Sequence, residues 1–168
     1  STTVFASVVG SQSNVGLNPL AQGDQDTAFR LAHGAYLRLM DELDNPELRQ
    51  NLALAAFLQN RAEDDGRRRF HTNVFAGNYS VSTALHIRYP HVGQGESTSV
   101  VHASAIRLAV EVDLQPASQV AEALGVWRDG MDGKMAADTV ADTLEKIYTK
   151  IGVPTQLRQL DIPQGDLI

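Results

Sequence analysis

The sequence predicts an all-α, single-domain helical bundle, and three observations lead there. Apolar residues recur at three- and four-residue steps, most clearly at Val140, Leu144, Ile147 and Ile151. Helix-boundary residues punctuate these stretches, with Asn45-Pro46 opening one and Gly66 closing it. A length of 168 residues suits one domain with a continuous core, and no segment reads convincingly as a strand.

Residues 1–10 are small, apolar and partly β-branched, and fit either the end of a buried helix or a strand. Residues 11–23 are polar, hold Asn18-Pro19, and read as a loop. Asp24 or Asp26 then caps a helix whose apolar side is Phe29, Ala32, Tyr36, Leu39, Met40 and Leu43. After Asn45-Pro46 a second helix buries Leu48, Leu52, Ala55 and Ala56, and runs to about Asp65. Residues 67–77 predict a third helix, followed by a short apolar-alternating piece from Tyr79 to Leu85. Tyr89-Pro90, Gly93 and Gly95 form a loop. A long helix over 97–112 turns Val100, Val101, Ser104, Ile106 and Leu108 inward. Pro116 opens a short helix ending at Gly125, and Trp127 packs beside the turn at 129–133. The amphipathic helix 134–151 follows, then a tail with Pro154, Pro163 and Gly165 around one helical turn.

Composition narrows function. The hydrophobic share of 43% includes no run long enough for a membrane span, and no secretory signal pattern is visible. With no cysteine there is no disulfide, thiolate ligand or thiol nucleophile, which fits a cytoplasmic protein. A net charge of −6, with Arg67, Arg68 and Arg69 as the one basic block, argues against a nucleic-acid partner.

The chemistry concentrates in residues 66–103, which hold four of the five histidines. Histidine titrates near neutrality, so His71 and His91 are the candidate acid–base pair. Tyr79 and Tyr89 are candidate donors to a carbonyl oxygen, or else packing residues. Arg67, Arg68 and Arg69 fit a carboxylate-bearing substrate. They equally fit a solvated helix face, or partners for Glu63, Asp64 and Asp65, whose charges oppose the preceding helix dipole. Phe75, His86 and Glu96 complete the candidate substrate contacts. His102 reads as structural or exposed and His33 as surface. The GQGE stretch at 93–96 lacks the glycine spacing of a phosphate cradle.

Several motifs share one order along the chain. They are Asn18-Pro19-Leu20, ELRQNLALAAFL at 47–58, Gly66 with His71 five residues on, IRYPH at 87–91 with Gly95-Glu96 after it, and GVPTQLRQLDIPQGDL at 152–167. Together they resemble the C-terminal helical domain of the iron-containing alcohol dehydrogenase superfamily, which includes glycerol dehydrogenases, maleylacetate reductases and dehydroquinate synthases. The resemblance implies a dehydroquinate synthase-like α domain over 1–168. It also implies that the preceding nucleotide-binding domain is absent, so no nicotinamide cofactor is expected of this chain. In that family an Asp-x-x-x-His pair and two further histidines hold iron or zinc. The pair falls near Thr3 and Ser7, and the other two ligands correspond to His71 and His91. A further family histidine falls on Phe75. Residual iron or zinc at His71 and His91 is the exception this leaves open.

Three readings follow. One is a nicotinamide-independent isomerase, cyclase or lyase acting on a carbonyl- or carboxylate-bearing small molecule, possible in specialised biosynthesis. The others are a non-catalytic binding or partner subunit, and a metal-dependent oxidoreductase subunit needing a separate nucleotide-binding chain. An apolar face bared by loss of that domain predicts a homodimer.

Overall fold

The computed structural model describes residues 1–64, 75, 79–109, 111–163 and 165, and among them every regular element is a helix. The order is α1 (Thr2–Ser11), α2 (Pro19–Arg38), α3 (Pro46–Asp64), α4 (Tyr79–Arg88), α5 (Gln94–Leu108), α6 (Leu114–Ala123) and α7 (Gly133–Ile151), then a 3-10 turn at Leu157–Gln159. None of these helices is long and apolar enough to cross a membrane.

The ambiguous first stretch is a helix. Thr2, Phe5, Ala6, Val8, Val9, Gly10 and Ser11 of α1 are all buried, so nearly its whole circumference meets protein. A helix apolar all round belongs inside a bundle. Thr3, Val4 and Ser7 alone keep partial exposure, so little of the helix faces solvent and its sequence shows no clean period.

The loop expected over 11–23 is too long, because α2 starts at Pro19. Asn18 Oδ1 accepts from the Ala21 amide at 2.9 Å, and Pro19 occupies the first helical position. Neither Asp24 nor Asp26, the expected caps, serves as one; Asp24 is buried in the second turn, where the Arg61 guanidinium donates to both its carboxylate oxygens. At its other end α2 stops at Arg38, and Met40 and Leu43 are exposed rather than inward. α3 begins at Pro46 as expected, and Leu48, Leu52 and Ala55 are buried. Arg61 near the end of α3 reaches Asp24 near the start of α2, so the two helices form an antiparallel hairpin.

Of the third helix expected over 67–77, Phe75 alone falls among the described residues. The piece at 79–85 is helical and continues to Arg88. α5 begins three residues before the expected start, where Glu96 Oε2 accepts from the Gly93 amide at 2.8 Å. Val100, Val101 and Ile106 are buried as expected, but Ser104 and Leu108 face outward, while His102 and Ala103 are buried. Period counting follows apolar residues, and here a histidine holds a core position that Leu108 does not.

α6 takes Pro116 in its first turn, where no intrahelical N–H donor is needed. α7 is capped by Asp132, which accepts from the Met135 amide at 2.7 Å, and it ends at Gly152 in the left-handed region with φ 80°. Its first residue, Gly133, is packed so tightly that a Cβ there would lie 2.0 Å from the Val112 carbonyl oxygen. Any side chain at 133 would force α7 off the α5–α6 connection.

The main core joins α1, α2, α3, α5, α6 and α7 and contains Phe75, with Trp127 packed against its edge as expected. A smaller cluster of Tyr89, Val92, Val100, Val101, Leu160 and Ile162 fastens the C-terminal tail onto the α4–α5 corner. On the outside of α5 and α7, Arg107 donates to Asp142 at 2.8 Å and Glu145 at 2.5 Å. His33, expected at the surface, is half-buried and stacks on Phe29 with centroids 5.2 Å apart. Burial lowers its pKa.

Candidate functional site

The described candidate residues divide between the α4–α5 corner and the bundle interior. At the corner, the end of α4 delivers Arg88 and Tyr89, and the turn after Pro90 presents His91. Arg88 Nε donates to the Tyr89 hydroxyl at 3.3 Å, and its guanidinium carbon lies 5.6 Å from that ring's centroid. Tyr89 is buried in the smaller cluster, whereas His91 is exposed. The His91 and Tyr89 rings meet edge to face at 6.2 Å.

His91 Nε2 lies 3.1 Å from the Leu160 carbonyl oxygen. A carbonyl oxygen only accepts, so this nitrogen carries a proton, and in the neutral ring Nδ1 is the acceptor. The imidazole thus also pins the tail.

The remaining candidates on α4 and α5 do not converge with it. Tyr79 stands exposed at the first position of α4. Ten residues of helical rise separate it from Tyr89, roughly 15 Å along the axis. The two phenols therefore occupy opposite ends of the helix rather than one hollow. His86 is half-buried on α4. Glu96 is exposed, and its carboxylate caps α5 through Gly93. Arg67, Arg68, Arg69 and His71 lie outside the described residues.

Phe75 is elsewhere again. It is buried in the main core, and its carbonyl accepts from His102 Nε2 at 2.8 Å. His102 is fully buried on α5, and its Nδ1 is 2.7 Å from the Tyr148 hydroxyl of α7. Since Nε2 donates to a carbonyl, Nδ1 must accept and Tyr148 must donate. Burial pushes the His102 pKa down to about 4, with the Phe75 carbonyl pulling weakly the other way. Tyr148 is raised well above its ordinary value, by burial first and by neighbouring Tyr36 second. Tyr36 shares a 2.9 Å hydrogen bond with Thr2 Oγ1 and stacks on Phe5 at 4.5 Å.

Sequence reasoning leaves His102 as structural or exposed, places Tyr36 on the apolar side of its helix and misses Tyr148. Their signal is a hydroxyl-bearing residue on an apolar stripe, Ala32-Tyr36 in α2 and Leu144-Tyr148-Ile151 in α7. A second polar interior lies in the α2–α3 hairpin. The Gln59 side chain is buried there without a hydrogen-bond partner, as is Gln25 Nε2.

Of the donors the resemblance assigns to iron or zinc, Thr3 and Ser7 are half-buried on α1 and offer neutral hydroxyls, which fit such a metal poorly. His91 keeps Nδ1 open while Nε2 engages Leu160, and His71 lies outside the described residues. No group of three His, Asp or Glu side chains gathers among the described residues.

Comparison with known proteins finds no family model, no curated protein and no solved structure that matches this chain. The likeness to the iron-containing alcohol dehydrogenases therefore rests on the sequence motifs alone.

Proposed function

We propose that this chain is a non-catalytic binding or partner subunit that associates with a second copy of itself through α4. The observation that carries the reading is the exposure of that helix. Ser82 is its one buried residue, while Tyr79, Val81 and Ile87 are 64%, 44% and 68% exposed. Large apolar side chains grouped on one helix favour association, because burying them removes apolar surface from water. A two-fold dimer is the commonest way for a face to cover itself. Light scattering after size exclusion tests this. The wild type is expected to run as a dimer and Ile87→Glu as a folded monomer; a monomeric wild type at high concentration sinks the reading.

The Arg88–Tyr89–His91 group supports a second reading, a nicotinamide-independent isomerase, cyclase or lyase. An exposed imidazole with Nδ1 as acceptor is equipped to take a proton from a carbon next to a carbonyl. Arginines 67–69 would supply charge for a substrate carboxylate. Turnover of a panel of keto acids that is abolished in His91→Asn would support this reading over the first. A panel without turnover in the wild type, together with a dimer lost in Ile87→Glu, would dismiss it.

A further inference from the structure

We propose that Gln25 of α2 and Gln59 of α3 form a buried hydration site, in which one water molecule bridges the two side-chain amides and links the helices of the hairpin. The reasoning is independent of the functional readings above.

Placement comes from the neighbouring ion pair. Arg61 donates to Asp24, which sets α2 and α3 side by side at that level. Gln25 follows Asp24 by one residue and Gln59 precedes Arg61 by two. In antiparallel helices those steps run the same way, so both glutamines lie within a turn of the ion pair and on the same side of it. Both face inward, at 1% and 3% exposure. Gln25 interrupts a row of Ala21, Ala28 and Ala32, and Gln59 a row of Ala55 and Ala62, all of them fully buried. The end of α1 comes up against the same level, where Gln12 Nε2 donates to the Gln25 backbone carbonyl at 3.4 Å.

The chemistry of the unpaired atoms selects the ligand. Gln25 Nε2, Gln59 Nε2 and Gln59 Oε1 are buried and meet no hydrogen-bond partner in the protein. The two nitrogens donate and the oxygen accepts. An anion would suit the nitrogens and repel the oxygen, and a cation would do the reverse. Asp24, the buried acid of this hairpin, already has Arg61 opposite it, so no unmatched charge invites an ion. What fits is a neutral molecule that both accepts and donates, small enough for an interior lined by alanine. Water is that molecule. Buried polar atoms left dry forfeit the hydrogen bonds they made in the unfolded chain, and a bridging water restores them.

The test uses the intact protein. In ¹⁵N-labelled wild type, the side-chain amide protons of Gln25 and Gln59 are expected to show cross-relaxation with water, its NOE and ROE of opposite sign. That pattern marks a water held long enough to tumble with the protein. Amides that contact each other and not water, or that meet only short-lived solvent, overturn the proposal. A double-mutant cycle in urea asks whether the two side chains share the water. Gln25→Met and Gln59→Met each remove one partner at nearly constant volume, and each is expected to lower the folding equilibrium constant about tenfold, the equivalent of one hydrogen bond. The double variant should lie no lower than either single one, because neither amide is then left stranded. Losses that multiply in the double variant mean that each amide is satisfied separately, and they overturn the shared site. If the variants do not fold, the cross-relaxation in the wild type decides.

Discussion

The interior around α5 and α7 and the corner between α4 and α5 are built from the same residue types and treat them oppositely. Inside, His102 and Tyr148 satisfy each other, and burial moves both away from their ordinary pKa values. On the surface, His91 at the corner and Tyr79 at the start of α4 stand in solvent, with one histidine nitrogen engaged by the tail and the phenol exposed. Histidine and tyrosine content therefore says little about reactivity. Desolvation decides whether such a side chain is a structural link or an available group.

The largest expected effect sharpens that contrast. His102→Ala would open a cavity and leave the buried Tyr148 hydroxyl without its acceptor, a loss of about 3–5 kcal/mol in urea unfolding. His91→Ala gives up one partly exposed bond and is expected to lose under about 1 kcal/mol. Similar losses at the two sites would erase the distinction.

Acid comes next. The folded chain keeps His102 neutral while the unfolded chain protonates it near the ordinary value of 6.5. The unfolded state thus binds the extra proton as pH falls. The contribution is fully present above that value, declines through the interval, and is spent near pH 4, where the folded ring also protonates. The loss attributable to His102 is about 3 kcal/mol. His33, also lowered by burial, adds in the same direction. Asp24, held low first by its hydrogen bond to Arg61, adds a loss only as pH falls below its unfolded value of 3.8. Urea midpoints at neutral and mildly acidic pH measure the slope; a flat profile down to pH 4.5 would break the account of His102.

Tyr148→Phe is expected to cost about 1–2 kcal/mol by stranding Nδ1 of His102, while Tyr79→Phe stays within about 0.5 kcal/mol. The smallest stability effect is that of Ile87→Glu, also within about 0.5 kcal/mol in the monomer, although it is the change expected to abolish association. Thermal unfolding at low protein concentration separates these two consequences.

How far the sequence carries the reading varies along the chain. α3 and α7 are legible because proline, asparagine, aspartate and glycine mark their ends and one apolar face runs between them. The start of α2 is misplaced because Asn18-Pro19 serves equally as a turn signal and as a cap with its first residue. α5 is found, but with Leu108 and Ser104 on the wrong side, because His102 is polar by composition and core by position. The candidate site is less legible. Tyr79 and Tyr89, close in sequence, are parted by the length of α4, while Phe75 and Tyr148, far apart in sequence, meet through one imidazole.

The sequence by itself determined the helical class and the ends of its best-capped helices, since periodicity and capping act within a few residues of chain. Tertiary structure alone decided that α1 is a helix, that Asp24 answers Arg61 rather than capping, and that His102 is neutral and bonded on both sides. Each of those outcomes depends on which distant groups exclude water from it, and burial of that kind exists only once the helices have packed.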